Sequence, residues 1–229
     1  MKLEIVIPTW QRPQKLFNCI KSIEKSIHCT DSRVFVYFST YEELHSFAQR
    51  VRRPWLELHM VTNYKTTTFW NKHLLSCKSD ALVYLNDDVL LFSDTLTVIE
   101  QKFKEYFPDY DGIMGLNQSN INSGSKVLSA YGVIGLKYAD RFPRRQVWCP
   151  DYHRFYGDKE LGEFAESIGK FKYCEEAKII HLHPSVDIKQ LDMTHVKVRE
   201  WLKPDRTTYY ERQRLGLLWG KNYTLLTKE

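Results

Sequence analysis

Short apolar runs, separated by polar stretches rich in proline, threonine and acids, set the rhythm of the chain. Leu3-Glu-Ile-Val-Ile7 opens it as a strand, and Pro8-Thr9-Trp10-Gln11-Arg12-Pro13 closes that strand in a polar loop. Apolar residues then recur at Leu16, Phe17, Ile20, Ile23 and Ile27, the spacing of one helix face. Arg33-Val-Phe-Val-Tyr-Phe38 predicts a second strand, ended by Ser39-Thr40, and Glu42 and Glu43 open a helix with acids in its first turn, where the helix dipole favours them. Leu56 to Val61 predicts a third strand. Thr66-Thr-Thr68 and Asn71 precede a further helix, which leads into Ala81-Leu-Val-Tyr-Leu85. A continuous apolar run of that length is the pattern of a strand buried on both faces of a parallel sheet. Strands alternating with helices in this way argue a mostly parallel central sheet flanked by helices, an α/β fold.

Beyond Asp88 the rhythm changes. Residues 96, 99, 103, 106 and 107 are apolar, predicting a helix from Leu96 to Phe107. Gly112 to Leu116 and Tyr131 to Leu136 read as short strands, and the polar, glycine-containing stretch Asn117 to Lys126 between them as a loop or lid. Glu160 to Ile168 reads as a short helix ended by Gly169, and Ala177 to His183 as a last strand stopped by Pro184. From Asp192 onward the chain is polar and basic.

The central strand ends in Asn86-Asp87-Asp88. Carboxylates are costly inside a buried strand, but at its carboxyl end they stand where open α/β sheets bind ligands. Adjacent carboxylates there offer hard oxygen ligands to Mg2+ or Mn2+, and such ions hold phosphate oxygens. A plain polar turn is the other reading of the same three residues. Thr9 and Arg12, where the first loop meets a helix N-terminus, suit an anion.

Composition narrows the picture only a little. The chain has 229 residues, 43% of them hydrophobic, enough for a full core and too apolar for a disordered chain. It has no run of 18 apolar residues, so no transmembrane helix is expected, and the strand that begins two residues after Met1 leaves no room for a signal peptide. The 5 cysteines are odd in number and lack CxxC spacing, which fits a reduced, cytoplasmic setting and not a zinc cluster. A net charge of +5 suits an anionic ligand, nucleotide or nucleic acid.

Four motifs in order, Ile5-Val-Ile-Pro8-Thr9-x-x-Arg12, Asn71 ahead of Asn86-Asp87-Asp88, Gly157-Asp158-Lys-Glu160-Leu161, and Ile179-Ile-His-Leu-His-Pro184, resemble a GT-A-type glycosyltransferase of the large family-two group. The resemblance runs from about residue 3 to residue 184. It implies a GT-A-like domain over residues 1–191, with a nucleotide-binding half (1–91) and an acceptor half (92–191), and a helical arm (192–229) packed on the same domain. It implies a metal-dependent, inverting, hexosyltransferase-like enzyme that moves a sugar from a nucleotide-diphosphate sugar, UDP-linked by preference, to a hydroxyl acceptor. Pro8, Thr9, Arg12, Ser39, Asn71 and Asp87 fall where the family binds the nucleotide sugar. Asp88 falls where it holds Mn2+ or Mg2+, and His181 or His183 falls on its late metal histidine. Asp158 takes the place of the catalytic base, although the spot before it, usually Glu, is Gly157. Asn86 replaces the first acid of the metal motif, and Ser39-Thr40 stand where an Asp often reads uracil.

Each of these residues also has an ordinary structural reading. Asp158 can cap a helix, and the histidines can be surface or core residues sharing one strand face. In the arm, Arg206, Arg212 and Arg214 interleave with Tyr209 and Tyr210, as on nucleic-acid or sugar surfaces, or form a solvated helix face while Leu217, Leu218 and Trp219 pack on the core. The first version makes the acceptor a hydroxylated base in DNA. A third reading, motivated by Asn86 and Gly157, is a nucleotide-binding module without catalysis.

Overall fold

The computed structural model describes residues 1–27, 31–62, 65–121 and 127–221. Its centre is an eight-stranded sheet of order β3-β2-β1-β4-β7-β6-β8-β5, built from β1 (Lys2–Thr9), β2 (Asp31–Phe38), β3 (Leu56–Met60), β4 (Ala81–Tyr84), β5 (Val89–Leu91), β6 (Ile113–Gln118), β7 (Gly132–Gly135) and β8 (Phe171–His181). The first four strands are parallel, with β1 between β2 and β4. The helices between them, α1 (Pro13–Ser26), α2 (Tyr41–Ala48) and α3 (Thr66–Ser76), are the crossovers that the alternating pattern predicts. The antiparallel β7 then joins the two parts of the sheet, pairing with β4 on one side and β6 on the other.

Two apolar layers hold the sheet. Ile5, Ile7, Val34, Val36, Ala81 and Val83 point to one face, against α1 and α4 (Thr95–Tyr106). Val6, Phe35, Tyr37, Leu82 and Tyr84 point to the other, where Trp70, Trp148 and α6 (Gly157–Ser167) cover them. The period-two alternation of strand side chains thus fills both layers, which is why Ala81 to Leu85 can be apolar without a break.

Several boundaries differ from those expected. Asn71 lies in the middle of α3, not ahead of it, because Thr66 already starts the helix. β6 runs on to Gln118 because Asn117 and Gln118 keep pairing with β8 past an irregularity after Leu116, so the loop starts later. Residues 122–126 of the expected lid lie outside the described residues. β8 starts at Phe171, six residues before the expected start at Ala177, its first half pairing with β6, and it stops at His181, where the pairing with β5 ends at Val89. α6 begins at Gly157 with Tyr156 as its N-cap, so Asp158 sits inside the first turn and caps nothing.

The short helix α5 (Leu136–Ala139) follows β7, and the arm forms α7 (Met193–Val198) and α8 (Leu202–Arg214), its residues 222–229 lying outside the described residues. Leu218 and Trp219 pack on the Trp148 layer, as the core-packing reading of the arm expects. No helix among the described residues is long and apolar enough to cross a membrane.

Candidate functional site

The carboxyl ends of β1 and β4 lie side by side, because Ile5 pairs with Val83 and Val6 with Tyr84. That register brings the loop after β1 against the Asn86–Asp88 turn. Thr9 Oγ1 donates to Asp87 Oδ2 at 2.8 Å, and Arg12 Nη1 donates to Asp87 Oδ1 at 3.1 Å and to Asp88 Oδ2 at 2.7 Å. Arg12, Asp87 and Asp88 are all buried. Burial opposes the charge on both acids. For Asp88 the nearby His181 and the Arg12 guanidinium overcome that cost and hold the carboxyl well below the usual range. For Asp87 burial wins, helped by the charge of Asp88, and its pKa moves up.

The arm closes this cage from the far end of the sequence. Asp192 caps α7 by accepting from the His195 backbone N–H at 3.0 Å. Its other oxygen lies 3.2 Å from Arg12 Nε and 2.8 Å from Lys15 Nζ. His195 Nε2 stands 3.1 Å from Arg12 Nη2, so it accepts there and Nδ1 carries the ring proton, 2.8 Å from Asp192 Oδ1. Burial and the Arg12 charge lower the His195 pKa to about 4, consistent with a neutral ring. Thr194 fixes the contact by donating to the Trp10 carbonyl at 2.9 Å.

His181 faces the other side of Asp88. Its Nδ1 lies 3.1 Å from Gln118 Oε1, which can only accept, so that nitrogen carries a proton, and Nε2 is the acceptor once the ring is neutral. Nε2 receives the Tyr131 hydroxyl at 2.9 Å and lies 3.6 Å from Asp88 Oδ1. Asp88 Oδ1 is buried and has no hydrogen-bond partner among the described residues. An oxygen and an imidazole nitrogen that each hold one divalent ion at about 2.1 Å lie roughly 3–4 Å apart, so this pair fits such an ion. His183 points differently. Its Nδ1 accepts from the Ser185 backbone N–H at 3.2 Å, and its ring centroid is 4.9 Å from that of His181.

Both groups open into a cleft of about 470 Å³ whose lining includes Asp88, Tyr131, Arg154, Asp158, His181 and His195. Asp158 enters it from the first turn of α6. Burial raises its pKa to about 6, and backbone N–H groups of that turn offset part of the rise. α6 is held close by Ser129, whose hydroxyl donates to the Asp158 carbonyl at 2.7 Å, and a Cβ on Gly162 would lie 2.4 Å from that hydroxyl. A smaller recess beside the cleft is lined by Pro8, Thr9, Arg12, Ser39, Asp87 and Arg154.

The structure therefore brings together Pro8, Thr9, Arg12, Ser39, Asp87, Asp88, Asp158, His181 and His183. Asn71 stands apart. Its side-chain amide donates to the Trp148 carbonyl at 2.8 Å and accepts from the Trp148 N–H at 3.0 Å, which makes it a clamp between α3 and the loop before α6. The arm's arginine pattern also divides: Arg212 turns inward onto Glu160 and Asp151, while Arg206 and Arg214 remain exposed. Sequence reasoning missed Arg154, Asp192 and His195. The last two carried a readable signal, an Asp three residues ahead of a His at a helix start.

No family model and no curated protein matches the sequence. Solved structures do match, and they define the fold as that of GT-A glycosyltransferases. Staphylococcus aureus TarS, residues 1–349, superposes with a TM-score of 0.59 at 11% identity, over 83% of this chain and 63% of that one. The mannosyltransferase PcManGT from Pyrobaculum calidifontis, in complex with GDP-Man and Mn2+, gives 0.62 at 12%, over 78% and 56%. TarS in complex with UDP-GlcNAc gives 0.56 at 12% identity, over 78% and 57%. The chain thus spans about three-fifths of the length of these structures.

Proposed function

We propose that this protein transfers a sugar from a nucleotide-diphosphate sugar to a hydroxyl acceptor, with inversion at the anomeric carbon and with a divalent ion, Mn2+ or Mg2+, as cofactor. The observation that carries the reading is the placement of Asp158 and Asp88 on one cleft, a carboxylate with a raised pKa and a carboxylate with a lowered one. Asp88 and His181 would hold the ion, which supplies positive charge to the departing diphosphate. Arg12, fixed by four partners, adds a second positive charge beside it. Asp158 takes the proton of the acceptor hydroxyl as the acceptor oxygen bonds to the anomeric carbon. The bond from that carbon to the diphosphate oxygen breaks, and its electron pair leaves with the nucleotide. One base and one displacement give inversion.

Complexes of the similar folds with GDP-Man, UDP and UDP-GlcNAc support a nucleotide sugar as donor. UDP remains the preferred carrier, with Ser39 lining the recess beside Asp87. The DNA-acceptor version loses Arg212, which is tied to Glu160. Thermal shift with UDP, GDP and other nucleoside diphosphates, with and without Mn2+, tests the reading. A nucleotide that raises the melting point only with the ion supports it, since native-state binding stabilises the fold. No stabilisation by any nucleotide overturns it.

A further inference from the structure

A compact group of metal-type donors lies away from the cleft, on the nucleotide side of the sheet. Glu4, His73 and Cys77 bring a carboxylate oxygen, an imidazole nitrogen and a thiol to within 4.8 Å of one another, and all three are buried. Glu4 sits on β1 four residues before Pro8, about 13 Å along a strand. It is the one charged residue in the run Leu3–Thr9, which is buried throughout. His73 and Cys77 are four residues apart at the end of α3 and so share one side of it.

We propose that Glu4, His73 and Cys77 form a structural site for a zinc-class divalent ion, separate from the ion assigned to Asp88. A mixed oxygen, nitrogen and sulfur set selects Zn2+ or Co2+ over Mg2+ and Ca2+. The surroundings already orient the ligands. The Tyr37 hydroxyl meets His73 Nδ1 at 2.8 Å, and His73 Nε2 hydrogen-bonds Glu4 Oε2 at 2.5 Å, a pair that must part by about 1 Å to admit an ion. Ser79 Oγ donates to the other Glu4 oxygen at 2.8 Å. Outer partners of this kind fix a histidine ligand's tautomer. An ion bound here would displace the thiol proton of Cys77 and the proton shared by His73 Nε2 and Glu4, leaving His73 protonated at Nδ1 toward the Tyr37 oxygen. The site would brace α3, whose Thr67 and Trp70 line the cleft, against β1. It is independent of the sugar-transfer reading.

Cobalt substitution of the full chain tests the assignment, because a thiolate ligand gives Co2+ a charge-transfer band in the near ultraviolet. One equivalent of Co2+ should give that band in the wild type and in Asp88→Ala, and Zn2+ should displace it. The band should vanish in Cys77→Ser and in His73→Gln, and Tyr37→Phe should bind Zn2+ about 10–100-fold more weakly. Absence of the band in the wild type, or its persistence in Cys77→Ser, overturns the site. Should Cys77→Ser not fold, His73→Gln decides in the same way.

Discussion

Asp158 and Glu160 stand two residues apart on the first turn of α6 and face opposite partners. Asp158 opens into the cleft, whereas the Glu160 carboxylate is buried against the arm, 3.0 Å from Arg212 Nη2 and 2.9 Å from the Trp219 backbone N–H. This division separates chemistry from architecture within one helical turn. Asp158→Asn should fold and bind nucleotide normally, yet transfer sugar at least ~10²-fold more slowly, because an amide cannot take the acceptor's proton. Steady-state kinetics with matched calorimetry of donor binding checks it, and near-normal transfer would remove Asp158 as the base.

Glu160→Gln should behave in the opposite way. It leaves the buried side of Arg212 without its carboxylate and is expected to lower stability by about 2–3 kcal/mol. Transfer per folded molecule should stay within a few-fold of wild type. Urea unfolding paired with activity normalised to folded protein measures both.

The pH profile follows from Asp158 as well. Burial raises its pKa from 3.8 to about 6, so the base form is lost as pH falls through about 6. Transfer should therefore rise with pH up to that value and level off above it, and Asp158→Asn should abolish this limb. The stability sign is reversed. A raised carboxyl favours the protonated folded state, so its stabilising contribution is full below pH 3.8 and gone above about 6. A wild-type rate that is flat from pH 5 to 8 would refute the assignment.

Metal use should discriminate between the late histidines. Asp88→Ala is expected to lose Mn2+-dependent nucleotide affinity while staying folded. His181→Ala should weaken Mn2+ binding at least ~10-fold, as removal of a ligand or its orienting shell does. His183→Ala should change it little, because its Nδ1 is engaged by Ser185. Titration of Mn2+ by electron paramagnetic resonance reads the free ion directly, and equal effects of the two variants would contradict the choice of His181.

Arg12 contacts Asp87, Asp88, Asp192 and His195 at once, using three nitrogens of its planar fork. A lysine ammonium cannot span these partners. Arg12→Lys should thus lower nucleotide diphosphate affinity about tenfold or more, and His195→Ala should do so to a smaller extent by releasing one side of the guanidinium. Isothermal calorimetry with the diphosphate and Mn2+ decides. Unchanged affinity in Arg12→Lys would reduce the cage to a purely structural ion pair.

Much of this could be read in the chain itself. The parallel half of the sheet follows from local patterns, because each strand and crossover helix announces itself in its own residues. Asp87, Asp88 and Arg12 were legible because strand ends in such sheets are where ligands gather. The β7 reversal was not, since Gly132–Gly135 is four residues long and its direction is set by partners on either side. The contact of Asn71 was not legible either, because its hydrogen bonds go to the backbone of a residue 77 positions away. His195 and Arg154 were hidden for a related reason: each gains its meaning only from the tertiary contacts that bring it beside Asp88.

The contacts of Arg12 also bear on how the protein is made. Its partners come from the turn at Asp87 and Asp88 and from His195, 183 residues beyond it. A ribosome extending the chain completes the four parallel strands when fewer than half of the residues have emerged, so the first sheet layers can form early. Arg12 meets Asp87 and Asp88 at that stage and waits for its last two partners until α7 is released. A nascent or truncated chain ending before Asp192 would present the sheet and the two carboxylates with the guanidinium bound on one side alone.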